Sequence, residues 1–322
     1  MAPHMRAVRY HEHGGPNVLQ VDDIDRPEPD DDELLVAVRA AAVNPVDTYF
    51  REGSYSPGDL PWIPGSDFAG EVEAVGDDIE EFEAGDRVFG TGLGNDRPGT
   101  CAEYATTPTD TVAHLPNGVG FEEGAAVALV GVTAWRALID HGDLEPAETC
   151  LVHGGSGGVG HVAVQLAAAT GARVTTTASE DYHDRLEAVG ANTVLDYRRE
   201  DLAEAVEEAG KPDVILDHRL DDYLQFDADV AATGARIVGI GNEDVAAGFE
   251  NVPAARSKEL TITLMSMYNT PDISAVLARL ARLVADGEVV PEIARTYSLD
   301  EVDEAQRDVL EESFLGKLVV EP

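Results

Sequence analysis

Residues 152–160, Val-His-Gly-Gly-Ser-Gly-Gly-Val-Gly, carry the clearest chemistry in the chain. Gly155, Gly157 and Gly160 fit G-x-G-x-x-G. The apolar run Cys150-Leu151-Val152 precedes them, and apolar residues at helical spacing follow from Val159 to Ala167. Strand, glycine loop and helix in that order are what a dinucleotide site requires. Glycines permit a tight turn and a close backbone approach to a pyrophosphate, whose charge the helix N-terminus stabilises. Gly155, Ser156, Gly157, Gly158, Val159 and Gly160 are the first candidate binding residues. Gly239 and Gly241 close a later apolar run, where the backbone can approach a bound nucleotide or simply turn tightly.

The elements that must position this loop alternate regularly. Strand candidates at Thr149–Val152, Arg173–Thr177, Thr193–Leu195, Val214–Asp217 and Arg236–Ile240 are separated by helix candidates at Val159–Thr170, Asp181–Val189, Leu202–Ala209 and Asp222–Ala232. The pattern predicts a doubly wound parallel sheet. Leu260–Met265 adds a sixth strand, whose unpaired apolar edge suits pairing with a second copy, so a homodimer is expected. Ahead of the loop, Met5–Tyr10, Val18–Val21, Leu34–Ala40, Ala69–Val75, Arg87–Phe89 and Cys101–Ala105 read as short strands of a partly open β-barrel. Helices follow at Glu122–Leu129 and Val132–His141, with Gly131 between them. The final stretch reads as a helix at Ile273–Ala285, the run Pro291–Leu299, a helix through Leu310 and a strand at Lys317–Val320. It is too short to fold alone and is expected to rejoin the N-terminal domain. The expected domains are 1–124 with 269–322, and 125–268.

Acidic residues number 62 against 22 basic ones, a net charge of −40, and only Lys211, Lys258 and Lys317 are lysines. The carboxylates are dispersed among apolar periodicity, with no long acidic tail, which disfavours a nucleic-acid mimic. A cytosol at molar salt fits better: the Debye length there is about 3 Å, so self-repulsion is screened. The same charge disfavours binding to nucleic acid or anionic lipid. No apolar stretch approaches the roughly 20 residues of a membrane span. The start, Met1-Ala2-Pro3-His4-Met5-Arg6, lacks an apolar signal core, and Met5 is an alternative initiator. A cytoplasmic location is expected. Cys101 and Cys150 form no C-x-x-C, and Cys150 reads as a small core residue.

Several motifs in order resemble one family. Val43-Asn44-Pro45-Val46-Asp47-Thr48-Tyr49-Phe50-Arg51-Glu52-Gly53-Ser54-Tyr55, the run Leu60–Gly70, Gly76, Gly85-Asp86-Arg87-Val88-Phe89 and His153–Gly160 resemble the quinone-oxidoreductase, or zeta-crystallin-like, branch of the medium-chain dehydrogenase/reductase superfamily. The resemblance runs from Arg6 to Val320 and is weakest over residues 218–256. It implies an α/β fold: a GroES-like partly open β-barrel catalytic domain plus a Rossmann six-stranded parallel sheet.

The resemblance also implies chemistry without zinc. Zinc-dependent relatives carry Cys-Gly where this chain has Asn44-Pro45, and Gly-His-Glu where it has Gly65-Ser66-Asp67; two distant cysteines cannot build a four-cysteine structural site. His11-Glu12-His13 offers two same-face imidazoles on a strand, but no further ligand stands near. In NAD enzymes a carboxylate about 20 residues beyond the glycine loop binds the adenosine ribose. Counted back from Gly190-Ala191, which the superfamily shares, that position is Thr177. A 2′-phosphate then fits, with Ser179 as donor, so NADPH is expected in preference to NADH. Relatives place a lysine just after this serine, where the chain has Glu180-Asp181-Tyr182-His183. His183, Arg185 and Arg198 are the substitute cations, although Arg185 equally reads as a solvated helix residue. Tyr197, Thr133 and Lys317 match positions near the cofactor in relatives.

A quinone or electron-poor alkene is already electrophilic, so a hydrogen bond to its carbonyl suffices to stabilise the developing anion. Asn44, Tyr49 and Tyr55 are the candidate donors. Asn44 and Tyr49 match cleft residues of relatives, and Tyr55 matches a tyrosine proton donor of enoyl-thioester reductases. The leading expectation is an NADPH-dependent, zinc-independent reductase of quinones or α,β-unsaturated carbonyls. One alternative is an enoyl-thioester reductase, which needs a basic entrance for a CoA phosphate. The other is an NADPH-binding protein with a structural or RNA-binding role, which the acidic surface opposes.

Overall fold

The computed structural model describes residues 3–55 and 57–322. Met1 and Ala2, where the first expected domain and the alternative-initiator question begin, lie outside the described residues, as does Ser56. Contacts divide the chain into two units. One holds the residues up to Leu129 together with Pro271–Pro322, and the other holds Val130–Thr270.

The first unit begins with β1 (His4–Tyr10) and β2 (Leu19–Asp25), an antiparallel pair in which Tyr10 faces Leu19 and His4 faces Asp25. β2 runs four residues beyond the expected Val21. Asp22, Asp23 and Asp25 have poor strand propensity, but pairing with β1 overrides it. β3 (Glu33–Val43) follows, then α1 (Pro45–Glu52), β4 (Asp67–Val75), β5 (Arg87–Gly90), β6 (Tyr104–Pro108) and β7 (Val112–His114). The expected strand at Cys101–Ala105 is displaced. Cys101 instead bridges two segments, with Val8 N–H donating to its carbonyl at 2.8 Å and its own N–H donating to Pro64 O at 3.0 Å. The regular pairing with β3 begins at Tyr104, opposite Ala37.

α2 (Phe121–Trp135) runs through Gly131 and continues as a π-helical turn over Arg136–His141, closed by Gly142 N–H donating to Ala137 O at 2.9 Å. The expected break at Gly131 does not occur. Residues 125–130, Val132 and Ala134 are all buried, and packing on every side offsets the roughly 1 kcal/mol that a mid-helix glycine costs.

The second unit comprises β8 (Thr149–Val152), α3 (Gly158–Thr170), β9 (Arg173–Thr177), α4 (His183–Ala188), β10 (Thr193–Leu195), α5 (Leu202–Ala209), β11 (Val214–Asp217), α6 (Leu220–Val230), β12 (Arg236–Gly239), α7 (Val252–Ser257) and β13 (Thr261–Leu264). The six described strands are parallel and ordered β10-β9-β8-β11-β12-β13. In order of appearance this is 3-2-1-4-5-6, with the reversal between β8 and β11; ligands bind such sheets outside the strands' carboxyl ends at that reversal. Cys150, Leu151, Ile215, Leu216 and Ile237 are fully buried, as short apolar runs covered on both faces should be.

The chain then returns to the first unit with α8 (Ile273–Ala285), β14 (Ile293–Ser298), α9 (Val302–Glu311) and β15 (Lys317–Glu321). Among the described residues the larger sheet is ordered β14-β15-β3-β4-β5-β7, with β6 also against β3. β3 is the hub: β4 lies along one edge, while β6 pairs with residues 33–37 and β15 with residues 41–43 on the other. Its core includes Leu34, Val36, Val38, Phe68, Val88 and Leu318. No helix of the described residues is long and apolar enough to cross a membrane.

Candidate functional site

At the carboxyl end of β8 the chain turns through Gly154, whose φ of +68° suits glycine. Thr177, at the end of β9, holds the turn in place: Gly154 N–H donates to its Oγ1 at 3.0 Å and Gly155 N–H to its carbonyl at 2.8 Å. A Cβ on Gly155 would fall 2.2 Å from Thr176 Oγ1, and one on Gly160 would fall 2.1 Å from Gly154 O. Both glycines are therefore fixed by close packing. Gly157 caps α3 with no side-chain hydrogen bond, and the first-turn N–H groups of any helix have no intrahelical carbonyl. Three turns of α3 thus aim uncompensated positive polarity at the loop, the arrangement that receives a phosphate.

Several of the other expected residues of this unit follow the carboxyl ends of neighbouring strands. Ser179 follows β9, and His183 Nε2 lies 3.2 Å from Ala178 O. Tyr197, 47% exposed, follows β10. Gly239 ends β12, and a Cβ on Gly241 would fall 2.6 Å from His218 O, so backbone approaches backbone there. Thr133 is buried on α2. Arg198 is held by Asp196, and Arg185 is exposed on α4.

Behind the glycine loop sits a group the sequence did not disclose. His153, fully buried, stacks on Tyr223 of α6 at 4.5 Å and 4° and places Nε2 2.7 Å from Asp227 Oδ1. Burial lowers the His153 pKa to about 4 and raises Asp227 to about 8 and Asp217 to about 7. Asp217 and Asp227 also interact directly; if both were ionised, the Oδ2 of each would lack a partner, whereas one shared proton satisfies both.

The expected catalytic residues lie in the first unit, on and after α1. Pro45 occupies the first helical position, and Asp47 Oδ2 accepts the Asn44 N–H at 2.8 Å, the reverse half of a capping box. The Asn44 side chain turns inward instead of capping the helix. Its Oδ1 accepts from Lys317 Nζ at 2.5 Å, and its Nδ2 donates to Asp67 Oδ2 at 2.8 Å. Lys317 Nζ also donates to Val43 O at 2.8 Å and lies 3.8 Å from Asp67 Oδ2. Asp67 Oδ1 accepts from Leu129 N at 2.9 Å. Asn44, Asp47, Asp67 and Lys317 are all 3% exposed or less. Burial raises Asp67 and lowers Lys317, each opposed by the other's charge, and it lifts Asp47 to about 7.

Lys317, which matches a position near the cofactor in relatives, is fully engaged within its own unit. Its ammonium is enclosed by oxygens of its own unit, and the Asn44 amide is committed to the same network. Tyr49 and Tyr55 do face outward, 38% and 58% exposed, with ring centroids 6.4 Å apart. Fully buried Arg51 anchors their helix, donating to Gly14 O at 2.9 Å, Gln306 Oε1 at 2.5 Å and Glu52 Oε1 at 2.6 Å. His11 and His13 diverge, His11 to Asp22 at 2.9 Å and His13 to the Arg51 carbonyl at 3.1 Å. Among the described residues, no group of three or more His, Cys, Asp or Glu side chains is placed to hold a metal ion.

Asp47 and Asp67 are the site residues that sequence reasoning missed. Asn-Pro-x-Asp is a capping signature that would have found α1 and Asp47, and Asp67 stands in the Gly65-Ser66-Asp67 motif, but nothing there announces its burial against Lys317.

Comparison with known proteins agrees with this architecture. Residues 30–117 match the family model of the alcohol dehydrogenase GroES-like domain, and residues 189–320 match the zinc-binding dehydrogenase model. The chain is 35% identical to quinone oxidoreductase of Homo sapiens, over 98% of this chain and 97% of that protein. It is 33% identical to quinone oxidoreductase of Pseudomonas aeruginosa, over 98% of this chain and 99% of that protein. The crystal structure of Escherichia coli quinone oxidoreductase complexed with NADPH superposes with a TM-score of 0.88 at 28% identity, covering 98% of this chain and all of that one. The chain belongs to the quinone-oxidoreductase branch of the medium-chain dehydrogenase/reductase superfamily. It is an oxidoreductase, a quinone oxidoreductase-like enzyme with a GroES-like and a Rossmann domain.

Proposed function

We propose that the chain is an NADPH-dependent, zinc-independent reductase of quinones or α,β-unsaturated carbonyls. The observation that carries this reading is the uncapped N-terminus of α3 behind a sterically fixed glycine loop, at the reversal of a 3-2-1-4-5-6 sheet. The E. coli relative's complex with NADPH supports the same cofactor class. Gly155–Gly160 would hold the pyrophosphate; Thr177, Ser179, His183 and Tyr197 the adenosine end; Thr133, Gly239 and Gly241 the nicotinamide end. Bound there, the cofactor supplies a hydride. NADPH over NADH is favoured because Thr177, not a carboxylate, ends β9, and its hydroxyl is occupied by Gly154.

The donor set supports chemistry without zinc. An amide, a hydroxyl and an ammonium are poor company for Zn²⁺, and the Lys317 ammonium already supplies positive charge beside Asp67. Tyr49 and Tyr55 are the acceptor's hydrogen-bond donors in this reading, and Asn44 serves by tying the junction of β3 and α1 to Lys317 and Asp67. The acidic surface suits a high-salt cytosol. β13 offers Ile262 and Leu264 at a sheet edge, 38% and 72% exposed, for a homodimer that light scattering in high salt would detect.

NADPH oxidation in molar KCl against quinones, enones, enoyl-CoAs and simple aldehydes tests the reading, with NADPH and NADH titrated by fluorescence. Quinone or enone turnover and tighter NADPH binding are expected. Turnover of aldehydes alone, or equal affinities, would overturn it. Tyr49→Phe or Tyr55→Phe should lower kcat/KM at least threefold; if neither does, the donor assignment fails.

A further inference from the structure

The adenosine end of the proposed cofactor site contains a cation that the chain has already paired. β10 lies beside β9 with Leu195 opposite Thr177, and Ala178 N–H donates to Leu195 O at 3.0 Å. The turn after β10 is thereby brought beside the turn after β9, which sets Asp196–Arg198 next to Ser179. There Asp196 Oδ1 accepts from the Arg198 main-chain N–H at 2.8 Å and from Nε at 2.9 Å, and Oδ2 accepts from Nη2 at 2.7 Å. The guanidinium carbon lies 5.5 Å from the Tyr197 ring centroid. Glu180 is close enough to act on Arg198, and His183 on Asp196.

We infer that Asp196 is a specificity-determining residue for the nucleotide: its carboxylate fills the Arg198 donor fork that a 2′-phosphate would otherwise take. This rests on the proposed nicotinamide site. A guanidinium fork matches carboxylate and phosphate alike in bidentate geometry, so the two anions compete for the same N–H groups. Charge sharpens the competition. Glu180 and Asp196 both act on Arg198, so an entering phosphate meets like charge unless Asp196 gives way. The pair is exposed on the arginine side, 59%, and exposed ion pairs are weak enough to exchange. Arg198 holds Asp196 near a pKa of about 2, so mild acid does not release the fork. A nucleotide without a 2′-phosphate neither needs the fork nor suffers the repulsion. Asp196 thus lowers a preference that Thr177 and Ser179 would otherwise make larger.

The experiment measures Kd for NADPH and NADH by fluorescence titration in the full-length wild type and in Asp196→Asn, Arg198→Gln and the double variant, with thermal melts to verify folding. Asp196→Asn should raise the ratio of Kd(NADH) to Kd(NADPH) about fivefold, Arg198→Gln should lower it, and the double variant should lose the Asp196→Asn gain. A ratio that moves less than twofold in Asp196→Asn overturns the inference. So does a gain that survives in the double variant, because it would not act through Arg198. Either result leaves the proposed function standing if the wild type still binds NADPH. A wild type that binds neither nucleotide sinks the proposed site and this inference together.

Discussion

In the unit that ends at Leu129 and resumes at Pro271, an ammonium, an amide and two carboxylates lie out of water, and each is held by the others or by the backbone. In the unit of Val130–Thr270, the first turn of α3 presents its N–H groups with no side chain to receive them. Both regions concentrate polarity, but the first completes itself and the second does not. The difference separates polarity that maintains a fold from polarity kept for a ligand. A buried charge without a partner is too costly to persist, so Asp67 and Lys317 must find each other. A helix N-terminus at the surface is satisfied by water until an anion arrives, so it can wait.

Disrupting the self-contained network should have the largest effect. Lys317→Met strands Asp67 in the core, and loss of one buried partner costs about 3–5 kcal/mol. Denaturant melts should register that loss, and adding Asp67→Asn should recover part of it; a melt unchanged by Lys317→Met would mean the network does not hold the unit. The next effect is a pH dependence. The folded state holds the Asp47 proton more tightly than the unfolded chain does, so this stabilisation is full below about pH 4 and is lost as pH rises through about 7. Asp47→Asn keeps an acceptor for the Asn44 N–H and removes the titration. Relative to it, the wild type should lose up to about 4 kcal/mol across that window, and parallel stability–pH curves would refute the point.

On the other side of the comparison, Gly160→Ala drives a Cβ to 2.1 Å from Gly154 O and should weaken nucleotide binding about 100-fold, some 2.7 kcal/mol, while leaving the melting of the first unit alone. Calorimetric titration would reveal it, and undiminished affinity would detach the glycine loop from binding. The smallest effect is expected from Thr177→Val, which removes the acceptor for Gly154 N–H at a cost of about 1 kcal/mol. It should loosen nucleotide binding a few-fold, and hydrogen exchange at Gly154 should accelerate; an unchanged amide would show that Thr177 does not hold the loop.

The two regions also differ in how plainly the sequence announced them. β8 and β11 lie where their short apolar runs put them, because a strand covered on both faces is largely apolar, and β9, β10 and α5 lie where β-branched residues and helical spacing put them. The glycine loop is local, so nine consecutive residues display it. The Lys317 network is not local, since Asn44 and Lys317 are 273 residues apart. Asp47 and Asp67 are two of 62 acidic residues, most of which a strongly acidic chain must turn to solvent, and nothing in their neighbours marks them as buried. The expected strand at Val18–Val21 stops short of the end of β2 because Asp22, Asp23 and Asp25 have poor strand propensity. The unbroken α2 was hidden differently, because a glycine's cost is visible in sequence and the packing that offsets it is not.

The distance between Asn44 and Lys317 also bears on how the protein is made. A ribosome releases Asn44, Asp47 and Asp67 first, then the entire Val130–Thr270 unit, and only afterwards the strand that bears their cation. Until that strand arrives, the nascent barrel has carboxylates it cannot bury. The glycine-loop unit, all of its strands contiguous in the chain, has no such wait. The part of the protein begun first is therefore the part finished last.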